Sequence, residues 1–328
     1  MLKTLRIRNL KCFRKLELRP LKRVNLIAGK NNTGKTALLE ALLLLLDGPT
    51  YVAQLPSIFR NCGNLGDALE NYWKWIFKDR EAKQPVILQG DTDDYANYSV
   101  AISSQTPPRE YNTWVRFSGD LQLSVLPQSL GPHAGINPQP PSRLSVVAIP
   151  VRQSDPQKDA VDYDRVVLKA GGEEKLETLL RHLEPRLKSI RSIKPYGASL
   201  IYVDIGLREK IPAVHLGQGF LRLVSIYSEI IASNKQVLLI DEIENGLHHS
   251  ILADIWRGIL NLAEQENVQV FATTHSYECI RAAHQAFAET LTYDFALHRL
   301  DEVRGEITVT TLDKDALETS LASNFEVR

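Results

Sequence analysis

The sequence of 328 residues predicts an α/β fold built around a strand, glycine loop, helix unit, and three observations carry the prediction. The apolar run VNLIAG at 24 to 29 passes through GKNNTGKT into a leucine-rich helix at 35 to 46. Two later apolar strands, QVLLIDE and VQVFATTHS, each follow a helical stretch and precede another, which is the pattern of a parallel sheet. Between the first helix and these strands lies a region, about 84 to 149, of short alternating segments and turn residues that reads as an antiparallel insertion.

The elements follow in order. Leu5, Ile7 and Leu10, then Leu16 and Leu18, alternate with charged residues and predict a first hairpin. VILQG, YSVAIS, TWVRF and LQLSVL predict the antiparallel strands, interrupted by the loop GPHAGINPQPPSR. Residues 173 to 193 have helical spacing with an interruption at Pro185, and SLIYVDIGLREKIPAVHL predicts a hairpin. It leads into HLGQGFLR and the helical pattern LVSIYSEIIA; the two strands named above, a helix from Tyr277 and a last hairpin from Phe295 to Leu312 complete the chain.

Composition bounds the function. Hydrophobic residues make up 44% and charged residues 24%, with a net charge of +0, so no global basic field holds the protein on nucleic acid. Cys12, Cys62 and Cys279 are odd in number, far apart and in no C-x-x-C pair, which argues against a disulfide framework or a zinc site. The N-terminal stretch has no hydrophobic signal core, and the longest apolar run, Ala41 to Leu46, is too short to span a bilayer. The expectation is a soluble cytoplasmic protein without a membrane partner.

The strongest motif is Gly29 to Thr36, which matches G-x-x-x-x-G-K-[ST] at every fixed position. In such a loop the backbone N–H groups of Gly29, Asn31, Asn32, Thr33 and Gly34 can point into one concavity, Lys35 reaches the outer phosphates of ATP, and the Thr36 hydroxyl can ligate Mg²⁺. The apolar strand at 237 to 240 ends in Asp241, placed for the Mg²⁺ shell, and Glu242, placed to polarise an attacking water. His275, at the end of the next strand, can hydrogen-bond the γ-phosphate or the water. A guanine-reading N-K-x-D is missing, since Asn234-Lys235 is followed by Gln236 and Val237. In HLGQGFLR, Gly217, Gln218 and Gly219 precede a helix; two glycines there are by themselves as consistent with a helix cap as with a phosphate contact.

With the phosphate loop, L-G-Q-G, D-E and T-T-H-S in this order, the chain resembles the ABC-type ATPase heads of SMC and RecF proteins. It is similar most of all to the ATPase module of OLD-family nucleases and of AAA-labelled anti-phage defence ATPases; LRIRNLKCFRKLEL resembles that group's first hairpin and IDEIENGLHHS its D-E-P-E-N-x-L-H-P segment. The resemblance implies a single P-loop domain over 1 to 328. Its core nucleotide-binding lobe is 1 to 155 with 234 to 328, and 156 to 233 is a helical lobe carrying the signature motif L-G-Q-G. It further implies ATP and Mg²⁺ as cofactors, with Lys35, Thr36 and Asp241 at the phosphates and metal. Glu242 is then the catalytic base, Asn245 lies in the D-loop and His275 is the switch histidine. The signature of one protomer would contact ATP on another, giving a homodimer or higher oligomer through an ATP sandwich. The chain departs from the pattern where Gly217 replaces the signature serine and Ile243 the proline after D-E, and Gln153 is the candidate for the Q-loop.

The stretch after His275 is too short for a TOPRIM domain. The resulting expectation is an ATP-hydrolysing switch acting on a separately encoded effector, a TOPRIM-like nuclease in a bacterial anti-phage system. The alternative is a RecF/SMC-like DNA-binding repair ATPase, for which nucleic-acid contact could come from two basic runs, Lys3 to Arg23 and Arg181 to Lys194, that read equally as solvated faces. A transporter's nucleotide-binding subunit would want L-S-G-G-Q, and a scaffold without turnover would not need Glu242 and His275. Lys35→Ala removes the mobile cation of the loop and is expected to abolish nucleotide binding with the fold intact, measured by calorimetric titration with ATP alongside circular dichroism. Retained affinity would overturn the phosphate-loop reading.

Overall fold

In the computed structural model, all residues are described except 52–54, 61–74, 81–83, 94–96, 104–112, 117–123, 128–143, 152–154, 196, 233 and 324. The central sheet runs β15-β14-β3-β13-β12-β8, where β3 is Val24–Gly29, β8 Val146–Ile149, β12 Val237–Ile240, β13 Gln269–Thr274, β14 Phe295–Val303 and β15 Glu306–Leu312. From β14 through to β8 every pairing is parallel, and only the β14–β15 hairpin is antiparallel. β3, β12 and β13 are buried at every position, as continuous apolar strands covered on both faces must be.

Alternation sorts these strands between two cores. Val24, Leu26 and Ala28, with Leu238, Ile240, Val270 and Ala272, face one core; Ile27, Leu239 and Phe271 face the other. The first core is covered by α5 (Gln218–Ala232), α6 (Leu252–Gln265) and α7 (Tyr277–Ala288). α1 (Lys35–Tyr51) fills the second, with every residue from Leu38 to Leu46 buried, including the acid considered below. A helix apolar all round must be covered all round. The opposite wall of that core is a second sheet of order β2-β1-β4-β5-β6-β7, in which β1 (Leu2–Leu10) and β2 (Phe13–Leu18) form the predicted hairpin and β4 (Val86–Thr92) joins β1. Gln269 ties the two sheets together: its side chain accepts from Leu2 N at 2.9 Å and donates to Leu2 O and Lys22 O at 2.8 Å each. Within α1, the fully buried Glu40 is held by Lys11 at 2.5 Å and Arg60 at 3.0 Å, so the acid never stands alone.

Three segment readings are corrected. Val146–Ile149 leaves the antiparallel region and pairs parallel with β12 at the edge of the central sheet. In the same region β5 (Asn97–Ser103) and β6 (Thr113–Arg116) pair in parallel, while β7 (Ser124–Pro127) returns antiparallel to β6. The stretch 173 to 193 is not one interrupted helix: after α3 (Pro156–Val167), α4 (Gly172–Leu180) stops before Pro185, and β9 (Ser189–Ile193) pairs antiparallel with β10 (Leu200–Asp204). With β11 (Ile211–Pro212), these strands form a small sheet inside the segment expected to be helical. Proline cannot continue the helix, and SIRSI is held as a strand by its pairing with β10. The predicted hairpin at 199 to 216 is β10 with β11.

Most of the N-terminal basic run is paired with acids: Lys3 with Asp93, Arg6 with Asp91 and Glu17, Lys11 with Glu40, Arg14 with Glu306, Arg19 with Glu17 and Arg23 with Asp294. In the second run, Arg181, Arg186 and Arg191 meet Glu177, Glu184 and Glu173. No helix among the described residues is long and apolar enough to cross a membrane.

Between α3 and α5, Asp159 is buried, accepts from Ser225 Oγ at 2.6 Å, and leaves Oδ2 without a hydrogen-bond partner among the described residues. Burial raises its carboxyl to about 6 from 3.8, against the opposing pull of Ser225 and Lys158. The folded state therefore holds a proton that the unfolded chain releases, and this contribution is full below pH 3.8 and lost as pH rises through about 6. Asp159→Asn is expected to raise the melting temperature by about 2–4 °C above pH 7 and not at pH 4, read by thermal scans at both values. An equal shift at both would refute the assignment.

Candidate phosphate-binding site

The parallel register brings the site together. β12 and β13 pair with Ile240 opposite Ala272, and β13 and β3 with Thr274 opposite Ala28, so the next residue of each strand emerges at the same edge. Loops beyond the carboxyl ends of such strands form the crevice in which open α/β sheets bind ligands. Gly29 to Thr36 leaves β3 there and enters α1, whose N-terminus faces the crevice.

Within the loop, Asn31 and Asn32 are exposed, and Asn32 takes a positive φ of 66°. Thr33 Oγ1 donates to Lys30 O at 2.9 Å and closes the turn. Gly34 has φ 90°, and a Cβ there would come within 2.5 Å of Cys12 Sγ and 2.7 Å of Phe13, so the β1–β2 turn packs directly against the loop. Lys35 is 9% exposed and its ammonium donates to Gly29 O at 2.7 Å and Lys30 O at 2.9 Å. Burial lowers its pKa, while Glu242, Asp241 and Glu244 oppose that shift. A cation held on two carbonyls amid three acids is poised for a stronger anion.

Thr36 Oγ1 donates to Asp241 Oδ2 at 3.1 Å, and Thr273 Oγ1 donates to Asp241 Oδ1 at 2.6 Å. Thr273 Oγ1 also accepts from the backbone N of Glu242 at 2.8 Å. Glu242 sits at φ 47°, an uncommon conformation for a residue with a side chain, stabilised by that bond and by the following one from Ile243 N to Thr273 O. The structure thus brings Lys35, Thr36, Asp241 and Glu242 into one cluster. A threonine hydroxyl and a carboxylate converging at 3.1 Å are hard oxygen donors of the kind Mg²⁺ takes.

His275 caps the same edge, with its side chain 51% exposed and its backbone N donating to Glu244 Oε1 at 3.0 Å. Asn245 is exposed and donates to Val151 O at 3.3 Å, and Gln153 lies outside the described residues. Gly217 and Gln218 are exposed at the start of α5. Gly219 is buried: a Cβ there would stand 2.3 Å from Gly246 O, so its lack of a side chain is already required inside the chain, where α5 packs on the 245 to 247 loop. The sequence reading treated both glycines as contacts to another protomer's phosphate; the fold supplies an internal reason for one of them.

Sequence reasoning did not single out Arg222, Thr273, Thr274 or Glu244. Arg222, one turn along α5 from Gly219, donates to Pro150 O at 2.9 Å, Asp241 O at 2.5 Å and Glu242 O at 3.1 Å. It fastens the start of α5 to the ends of β8 and β12. Its burial lowers its pKa against the pull of Asp241, Glu244 and Glu242. An arginine within an apolar helix pattern was the one available signal.

The chain is similar to known AAA domains. A protein-family profile described as "AAA domain, putative AbiEii toxin, Type IV TA system" matches residues 78–281, and one described as "AAA domain" matches 4–116. The chain is 25% identical over 348 aligned positions to an ATP/GTP phosphatase of Helicobacter pylori, covering 90% of each. It is 48% identical over 110 positions to the uncharacterized protein MJECL10 of Methanocaldococcus jannaschii, covering 32% of this chain and 49% of that one. Among solved structures, it is similar to a SmcHead bound to the C-winged helix domain of ScpA, with TM-score 0.55, 12% identity and coverage of 98% and 99%. The Smc head domain bound to the C-terminal domain of ScpA derived from Pyrococcus furiosus matches with TM-score 0.53, 10% identity and the same coverage. These two share the fold, an α/β architecture with a parallel-rich central sheet.

Arg222→Leu strips the guanidinium from three backbone carbonyls and is expected to cost about 3 kcal/mol in urea unfolding. It should also lower kcat for ATP more than it weakens nucleotide affinity, because the cluster loses its support while the phosphate loop stays. Wild-type stability and turnover would contradict the role given to these bonds.

Proposed function

The chain belongs to the AAA domain family whose profile covers residues 78–281 and hydrolyses ATP, and from that premise we propose that it is a nucleotide-driven switch. Two copies close around ATP, and the closed pair controls a separate protein effector. The observation that carries the proposal is the joint placement of Thr36, Asp241 and Glu242 at one sheet edge, with the exposed start of α5 fastened to it through Arg222. A phosphate reaching Gly217 and Gln218 from a second copy would press on the same helix whose Arg222 holds the carbonyl of Glu242.

In this reading the backbone of Gly29 to Gly34 and the Lys35 ammonium bind the β- and γ-phosphates, and Lys35 exchanges its two carbonyls for phosphate oxygens. Thr36 and Asp241 would hold Mg²⁺, which would supply positive charge to the phosphates. Glu242 takes the proton of the attacking water, and its φ of 47° turns the side chain out of the strand line. His275 completes the site from the end of β13. Asn245, beside Gly246 and thus against the start of α5, lies where a partner would meet the loop.

For the effector, the sequence resemblance to anti-phage ATPases supports a TOPRIM-like nuclease encoded separately. Protein partners are known for the fold, since both solved heads are bound to ScpA. Direct nucleic-acid binding has less support, because acids pair with most of the two basic runs.

Glu242→Gln is expected to keep ATP affinity and lower turnover by about two orders of magnitude or more, since an amide holds a water but takes no proton. The same variant should accumulate ATP-dependent dimers, recorded by light scattering with and without nucleotide. Undiminished hydrolysis would move the base elsewhere, and a monomer at saturating ATP would end the switch proposal.

A further inference from the structure

Glu244 is the third acid of the turn Asp241-Glu242-Ile243-Glu244 and touches His275, whose ring orientation the cluster above leaves unexplained. Its Oε1 accepts from Thr274 Oγ1 at 2.7 Å and from His275 N at 3.0 Å, and His275 Nδ1 lies 3.2 Å from the same oxygen. The side chain is 10% exposed, and Oε2 is buried without a hydrogen-bond partner among the described residues. Such burial of a half-satisfied carboxylate costs stability, so packing alone gives no reason for an acid here. Lys35 and Arg222 both feel its charge.

An ionised carboxylate only accepts hydrogen bonds, so the ring nitrogen that faces it carries the proton. We propose that Glu244 is a positioning residue for ATP hydrolysis: through its contact with His275 it fixes the ring as the Nδ1–H tautomer and leaves Nε2 as the atom that meets the nucleotide or its water. The contact to His275 N anchors the backbone at the same point, so ring and loop are held by one oxygen. An analogous carboxylate sets the tautomer of a catalytic histidine in hydrolase triads. The fixed order runs along two strand ends: Thr273 serves Asp241 and Glu242, while Thr274 and His275 serve Glu244. Displacement of the acid turn therefore displaces the histidine.

The inference rests on the reading of His275 as part of the site, and the test separates the two. Two-bond ¹H–¹⁵N spectra of the histidine rings are recorded at mildly alkaline pH for the wild type, for His275→Gln to assign the signal, and for Glu244→Gln. Glutamine keeps the volume and an acceptor for Thr274 and His275 N while removing the anion. The wild-type ring is expected as Nδ1–H, and Glu244→Gln is expected to shift it toward Nε2–H. The same substitution should lower kcat about tenfold with KM changed less than about twofold, and should add no further loss in a His275→Ala background. An Nε2–H ring in the wild type, an unchanged kcat in Glu244→Gln, or additive losses would each overturn the role of Glu244. If His275→Ala alone retained wild-type kcat, the reading of His275 would fall and the proposal with it.

Discussion

The hydroxyl of Thr273 is the contact on which the geometry of the site depends. It donates to Asp241 at 2.6 Å and accepts from the backbone N of Glu242 at 2.8 Å, so one oxygen fixes both the first acid and the left-handed turn that presents the second. That contact exists only because β12 and β13 pair in parallel with Ile240 opposite Ala272. A slip of one residue would turn Thr273 to the other face of the sheet and separate it from Asp241. Register, which is set by the alternation of Leu238, Ile240, Val270 and Ala272 into one core and Leu239 and Phe271 into the other, is therefore also the determinant of the chemistry.

Around this contact the two buried cations are each compensated by backbone oxygen and by the field of nearby acids. Lys35 loses solvation and is compensated by carbonyl oxygens and by the field of Glu242, Asp241 and Glu244. Arg222 loses solvation and is compensated by Pro150, Asp241 and Glu242 carbonyls. Arg222 holds the acid turn through the carbonyls of Asp241 and Glu242, while Lys35 holds the phosphate loop through those of Gly29 and Lys30. Each is bound to backbone oxygen, a neutral acceptor that a phosphate or a moving helix can outcompete.

The central strands, the phosphate loop and the acid pair were legible in the sequence because each is a local signal: a continuous apolar run, a glycine spacing, two carboxylates at a strand end. What was not legible depends on distant pairing. Val146–Ile149 is four residues long and reads alike as antiparallel or parallel until β12 is found beside it. SIRSI lies within a helically spaced stretch and becomes a strand because β10 offers it an edge. Gly219, expected to bring a backbone N–H to a phosphate, also packs against Gly246 of its own chain, a contact no local pattern announces. Thr273, Thr274 and Glu244 gain their roles only when two strand ends lie side by side, and residue type alone does not mark them.

Gly29 to Thr36 and Asp241 are proposed to form one site for the phosphates of ATP and their Mg²⁺. A crystal structure with a non-hydrolysable ATP analogue and Mg²⁺ tests it most directly. The account predicts the β- and γ-phosphates inside the loop, Lys35 Nζ moved from Gly29 O and Lys30 O onto phosphate oxygen, and the metal bound by the Thr36 hydroxyl with Asp241 beside it. A triphosphate bound elsewhere, or Lys35 still on its two carbonyls with nucleotide present, would contradict it.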